Sequence, residues 1–264
     1  MSVTLVECFL YALVILSLGS YSAAFSIRWP IKQRHEWNKE AHQLLEQTFT
    51  APFPNEAASK RSHCPHCQHT LNWKDLFPLL SFLLLKGKCR YCKKMISYRY
   101  PIIESLHFIC CLPLLFFYQD VYQLALMTIL ISALITSASI DFEHRLIPDE
   151  CNVIALGCAL LSHLQSNTLN NSVLAMLVGY SSLYLLRWAY LTLRHKEGLG
   201  LGDVKLVAAL GAWLGIMNLA PLLLCASLGG ILYTVVITRK APTQLAFGPF
   251  LIFSAIILFY YSKL

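Results

Sequence analysis

The sequence predicts an all-α, polytopic membrane protein with about eight transmembrane helices and a zinc-binding loop on one face. Three observations carry that expectation. Of the 264 residues, 56% are hydrophobic and only 13% are charged, against about 25% charged in ordinary soluble domains. Apolar stretches near the ~20 residues needed to cross a bilayer recur along the whole chain. Lys and Arg are concentrated: residues 25–100 hold 13 of the 21, leaving 8 for the other 188 positions.

The first apolar stretch, 3–24, has the place of a secretory signal but not its make-up. Met1 to Cys8 carries Glu7 and neither Lys nor Arg, so the basic segment that opens such signals is missing. Basic residues follow the stretch instead, at Arg28, Lys32 and Arg34, which fits a retained helix with its N-terminus outside. The positive-inside rule then puts the loop 25–100 in the cytoplasm. That topology accounts for the basic loop and for the net charge of +7, so no nucleic-acid partner is expected; membrane lipids are. Further spans are expected at 101–118, 122–140, 151–165, 172–191, 204–217, 219–238 and 245–262, the one at 204–217 being the weakest. The connections alternate as they should. Gln119–Val121 and Ser166–Asn171 lack Lys and Arg; Arg145, then Arg194 and Lys196, then Arg239 and Lys240 mark inner loops. Lys263 at the outer C-terminus is one small exception. The expected division is a first helix at 1–24, the cytoplasmic loop at 25–100, and a membrane-embedded domain at 101–264.

Within the loop, Trp37, Ala41, Leu44 and Leu45 recur at helical spacing among charged residues, which predicts an amphipathic surface helix over 31–47 or a loosely ordered linker. Ala51-Pro52-Phe53-Pro54-Asn55 breaks the chain. Leu76–Leu85 is apolar but interrupted by Pro78; ten residues cannot span, so this segment is expected against the bilayer. Cys64-Pro65-His66-Cys67 and Cys89-Arg90-Tyr91-Cys92 are two CxxC pairs 21 residues apart. That pattern suits tetrahedral Zn²⁺ held by four thiolates, and a reducing cytoplasm favours metal over disulfides. A redox pair and incidental cysteines are the alternatives. Four thiolates leave no open position, so the zinc would be structural. His63, His66 and His69 are substitute ligands.

Two carboxylates sit at the ends of apolar runs: Asp141, opening Asp141-Phe142-Glu143-His144-Arg145-Leu146-Ile147-Pro148-Asp149, and Asp203 in Gly200-Leu201-Gly202-Asp203-Val204-Lys205. A carboxylate at a membrane edge is costly unless it has a task. Both emerge on the cytoplasmic side, the minimum geometry for a pair that shares one proton, with one member activating water and the other polarising a carbonyl. Gly200 and Gly202 would let a substrate strand approach closely, and Pro148 shapes the loop beside Asp141. The plainer reading is two interfacial carboxylates satisfied by water, Arg145 or Lys205.

Taken together, these motifs resemble the type IV prepilin peptidases, GxGD-type aspartyl proteases of bacterial inner membranes. The likeness covers most of residues 19–250. It rests on the paired CxxC with Pro78-Leu79-Leu80-Ser81 and Lys86-Gly87-Lys88-Cys89 between them, on Arg99-Tyr100-Pro101-Ile102-Ile103-Glu104, on Asp141–Asp149 and Gly200–Lys205, and on Ala208–Gly215 and Phe247-Gly248-Pro249. The resemblance implies that Asp141 and Asp203 are the catalytic dyad; Gly200, Gly202 and Lys205 are expected to bind the substrate beside it. It implies a multi-pass inner-membrane protein, its active site facing the cytoplasm, that cuts the basic leader from type IV prepilins or type II pseudopilins, typically after a glycine. Many members then methylate the new N-terminus with S-adenosylmethionine. One departure stands out: relatives commonly carry Gly-Ser-Phe-x-Asn after the first segment, whereas this chain reads Gly19-Ser20-Tyr21-Ser22-Ala23. Ala23 thus replaces an asparagine in a region associated with methyl transfer. Two other classes compete. A proton-coupled transporter would place its aspartates near mid-membrane, and a zinc-ribbon membrane adaptor would be indifferent to Asp203→Asn.

Overall fold

The computed structural model describes residues 4–54, 61–196, 198–238 and 245–263. Their regular structure is helical, residues 45–54, 61–79 and 85–98 being irregular apart from one turn at Trp73–Asp75, and they hold no strand beyond the isolated bridges His63–Thr70 and Lys88–Met95. The helices are α1 (Leu5–Leu44), α2 (Leu80–Leu84), α3 (Arg99–Cys111), α4 (Leu114–Phe117), α5 (Val121–His144), α6 (Asp149–Gln165), α7 (Leu169–Arg194), α8 (Leu201–Leu214), α9 (Leu219–Tyr233) and α10 (Gly248–Tyr261). Two compact units emerge, Thr4–Ile109 and Cys110–Leu264.

In the first unit, α1 starts at a complete capping box: Thr4 Oγ1 accepts from the Glu7 N–H, and the Glu7 carboxylate accepts from the Thr4 N–H, satisfying two donors the helix cannot. From there α1 runs unbroken for 40 residues, about 60 Å at 1.5 Å per residue, roughly twice the hydrocarbon thickness of a bilayer. The separate surface helix expected over 31–47 is therefore the continuation of α1. Pro30 lies inside it and leaves the Ser26 carbonyl without its usual partner four residues on. The Arg99 guanidinium fills that gap, donating to Ser26 O at 3.2 Å and Ser26 Oγ at 3.1 Å. Residues 76–85 form only the single turn α2, with Leu83 and Leu84 72% and 76% exposed.

In the second unit α5 packs on α6 and α10, and α8 is bordered by α6, α7 and α10. Apart from Asp203 and Lys205 near its start, α8 is apolar on every side; Val204, Leu206, Val207 and Leu210 are essentially inaccessible, as a central helix requires. α7 approaches it closely, since a Cβ on Gly211 would lie 2.8 Å from the Ala175 carbonyl oxygen. The last four carbonyls of α8 are all answered. Gly211 O accepts from the Gly215 N–H, Ala212 O from Ser172 Oγ, Trp213 O from His163 Nε2–H and Leu214 O from Asn218 Nδ2. A short helix thus ends inside the bundle without orphaned backbone.

Each of the eight expected apolar stretches is helical. Among the described residues, five segments are long and apolar enough to cross a membrane: Leu5–Leu44, Arg99–Phe117, Val121–His144, Leu169–Arg194 and Ile216–Val236. The other three, α6, α8 and α10, have 17, 14 and 14 residues. Arg239 and Lys240, expected to mark an inner loop, and Asn55, expected in the break after residue 50, lie outside the described residues.

Candidate active site and metal centre

Asp141 occupies the last turn of α5. Its own carbonyl accepts from the Arg145 N–H at 2.8 Å, and Arg145 closes the helix in the left-handed conformation. The chain then turns through Leu146 and Ile147, and Pro148 leads into α6. The Asp141 side chain is 4% exposed, and its Oδ2 accepts from the Gly248 N–H, the first residue of α10, at 3.0 Å. A buried carboxylate needs such a donor. A Cβ on Gly248 would fall 2.6 Å from Asp141 Oδ2, so a larger residue there would have to push the carboxylate aside.

Asp203 lies in the first turn of α8, where a negative charge complements the helix dipole. Its carboxylate turns back toward Gly200, the residue that caps the helix. Ile147 wedges between the elements: it abuts the Cα of Gly202, where a Cβ would lie 3.2 Å from Ile147 Cβ, and a Cβ at Gly248 would meet Ile147 Cδ1, also at 3.2 Å. Asp141, Gly202 and Gly248 therefore meet around Ile147, and Asp203 follows Gly202 in the chain. Gly200 borders it, a Cβ there lying 3.1 Å from Asp203 Oδ2. Lys205 does not point into this spot. Its ammonium is bonded to both oxygens of Asp149, at 2.8 Å each, tying the first turn of α8 to the first turn of α6. Glu143 pairs with His144 at 3.8 Å.

Gly248 is the residue that sequence reasoning did not single out; it entered only as part of a matching Phe-Gly-Pro triplet. Its role depends on an approach across 107 positions, which no local pattern announces.

The four cysteines of the loop lie together in the first unit. Their Sγ atoms are all within 4.8 Å of one another, and Cys64 Sγ to Cys92 Sγ is 3.8 Å. A tetrahedron with Zn–S bonds of about 2.3 Å has edges of about 3.8 Å, so the donor set fits zinc. The two knuckles are built alike. Cys64 N–H donates to His69 O and Gln68 N–H to Cys64 O; Cys89 N–H donates to Lys94 O and Lys93 N–H to Cys89 O. Gln68 and Lys93 hold equivalent positions at φ 57° and 60°. Burial works against ionising Cys64, but the backbone N–H groups of Cys67 and His66 and the neighbouring thiols outweigh it and bring that thiol down to about 7. At Cys67 the His69 N–H favours the thiolate, yet desolvation and the adjoining sulfurs of Cys64 and Cys92 prevail and push it up to about 11. Crowded sulfurs resist a second negative charge unless a cation joins them. His69 packs against the Tyr91 ring at 3.7 Å, away from a ligand's task. Asp75, its side chain 4% exposed, accepts from Arg90 Nε at 2.6 Å and from the Tyr91 hydroxyl at 3.3 Å, pinning the second knuckle.

Comparison with known proteins adds an independent finding. Residues 13–118 match the model of the bacterial peptidase A24 N-terminal domain, and residues 128–235 match that of the type IV leader peptidase family. The chain is 37% identical over 255 residues to the "type 4 prepilin-like proteins leader peptide-processing enzyme" of Escherichia coli O78:H11, covering 94% of this chain and 92% of that protein. It is 32% identical over 255 residues to the "prepilin leader peptidase/N-methyltransferase" of Xanthomonas campestris pv. campestris, covering 94% and 89%. Against the like-named protein of Pectobacterium carotovorum subsp. carotovorum it is 37% identical over 243 residues, covering 89% and 86%. No solved structure matches the chain.

Proposed function

Since the chain belongs to the type IV leader peptidase family, and is thus a membrane peptidase that removes prepilin leaders, we propose that Asp141 and Asp203 carry out the cleavage. The observation that carries this reading is the packing of Gly248, which donates to Asp141, and of Gly202, the neighbour of Asp203, against the same side chain, Ile147. The pair holds one proton between them. The ionised member takes a proton from water as that water attacks the scissile carbonyl carbon, and the protonated member donates to the carbonyl oxygen. Collapse of the tetrahedral intermediate breaks the C–N bond; the departing amine takes a proton from one aspartate, and a hydroxyl of the intermediate returns its proton to the other as the carbonyl reforms. The Gly248 N–H orients Asp141 throughout. Gly200 and Gly202 leave backbone free for the substrate strand, and Lys205 serves through its bond to Asp149.

The site works at the cytoplasmic face of the bacterial inner membrane, on prepilins or type II pseudopilins. The density of Lys and Arg over residues 25–100 supports that orientation. Cys64, Cys67, Cys89 and Cys92 hold a structural zinc, which joins two knuckles far apart in sequence and contributes folding free energy. A second activity, methylation of the new N-terminus with S-adenosylmethionine as donor, is favoured by the names of the relatives; no residue of this chain is assigned to that cofactor. Cleavage of a purified prepilin, followed by mass spectrometry of its new N-terminus, tests both activities. Cleavage that persists in Asp203→Asn removes the dyad, and an unmethylated product removes the second activity.

A further inference from the structure

The exposed leucines of α2 stand at a definite depth along the long helices of the first unit. The N–H of Leu79, the residue that leads into α2, donates to the Glu104 carboxylate at 2.8 Å. Leu79 holds φ 56° and ψ −48° there, a costly conformation for a leucine. Glu104 stands five residues inside the apolar segment Arg99–Phe117, about 7.5 Å from its start at 1.5 Å per residue. It packs on Gly19, where a Cβ would lie 3.0 Å from Glu104 Cα. Gly19 is 14 residues beyond Leu5, about 21 Å along α1 and so within a ~30 Å hydrocarbon layer. Arg99 bonds to Ser26, 21 residues beyond Leu5 and thus at about that layer's edge. α2 therefore starts below the edge. Its Phe82, with the Tyr98 ring at 5.6 Å, is level with the edge, since Tyr98 adjoins Arg99. Past α2 come Lys86, Lys88, Lys93 and Lys94, all exposed, and none pairs with a carboxylate among the described residues. No Asp or Glu occurs between Asp75 and Glu104 to offset them.

We propose that α2 is an interfacial anchor for anionic phospholipid: Leu80, Leu83 and Leu84 enter the acyl layer, and the four lysines bind the headgroups above it. The proposal goes beyond the peptidase reading and does not depend on it. A depth of about 7.5 Å is where amphipathic segments settle, between headgroups and acyl chains. Charge selects the occupant. A second copy would bring the same four lysines against these, and a prepilin leader is itself basic, so both are repelled. An acidic leaflet instead favours binding about fivefold for each lysine near its surface. Lys88, Lys93 and Lys94 belong to the second cysteine knuckle, so the anchor holds that knuckle against the leaflet.

Hydrogen exchange of the full-length protein tests this, in nanodiscs of phosphatidylcholine alone and of phosphatidylcholine with phosphatidylglycerol in equal parts. Amides of residues 80–96 are expected to exchange at least about tenfold more slowly with phosphatidylglycerol present. In the wild type, salt at about 1 M should erase that difference, because screening then acts within about 3 Å. The combined variant Lys86→Gln, Lys88→Gln, Lys93→Gln and Lys94→Gln should exchange alike in both lipids. For depth, photoreactive benzoylphenylalanine in place of Leu84 should cross-link to acyl chains. In place of Glu40, 35 residues and so about 52 Å beyond Leu5 along α1, it should not. Equal exchange of the wild type in the two lipids overturns the proposal, as does a difference that survives high salt. A cross-link from position 84 to added prepilin or to a second copy, with lipid unlabelled, gives the face to protein and also overturns it.

Discussion

Gly248 gives the sharpest single-residue probe of the dyad. Gly248→Ala forces a methyl group toward a point 2.6 Å from Asp141 Oδ2, displacing the carboxylate or breaking the bond from its N–H. Cleavage should fall about 100-fold, the usual cost of losing one preorganised backbone donor, with expression little changed. Asp141→Asn and Asp203→Asn should each abolish prepilin cleavage at every pH tested, because the acid–base cycle needs both partners. Glu143→Gln should cleave normally, its side chain being paired with His144; an equal loss there would mean that the wrong carboxylate had been chosen. Asp141 and Asp203 could be picked out as candidates because each is a charge at the edge of an apolar run. Gly248 could not, because nothing in its neighbours records which group comes to face it.

At the scale of elements, the two CxxC knuckles were readable from spacing alone, since four thiolates have few other uses. Asp75 was not: its grip on Arg90 and Tyr91 spans 15 and 16 positions. Cys64→Ser should remove bound zinc and with it on the order of 10 kcal/mol of local folding free energy, seen as lost metal and rapid alkylation of the remaining loop cysteines. Burial alone would raise the Asp75 carboxyl, but its bonds to Arg90 and to the Asn72 N–H hold it below the usual carboxylate value. A group lowered in the folded state stabilises above its unfolded value and loses that contribution as acid protonates it. Asp75→Asn should therefore speed hydrogen exchange of the loop at neutral pH, and the difference from wild type should vanish as the pH falls below about 4. The helices were foretold where apolar runs were long. α1 overran its expected end because Arg99 answers the carbonyl that Pro30 leaves open, a contact across 73 positions.

For the molecule as a whole, cleavage and methylation should be separable. Ala23 is fully buried on α1 and offers no amide, so cleavage should be normal and methylation weak, as mass spectrometry of the processed substrate would read. A fully methylated product would show that Ala23 is no obstacle. Ala23→Asn tests the point at a cost of about 1–3 kcal/mol if the new amide stays unpaired. The brevity of α8 and α10 has a different consequence. Fourteen residues each reach about 21 Å, well short of a ~30 Å hydrocarbon layer. α8 is enclosed by its neighbours, but a bilayer meeting the exposed side of α10 should thin to match it. Thinning there should shorten the path from bulk solvent to Asp141, which the first residue of α10 holds through its N–H.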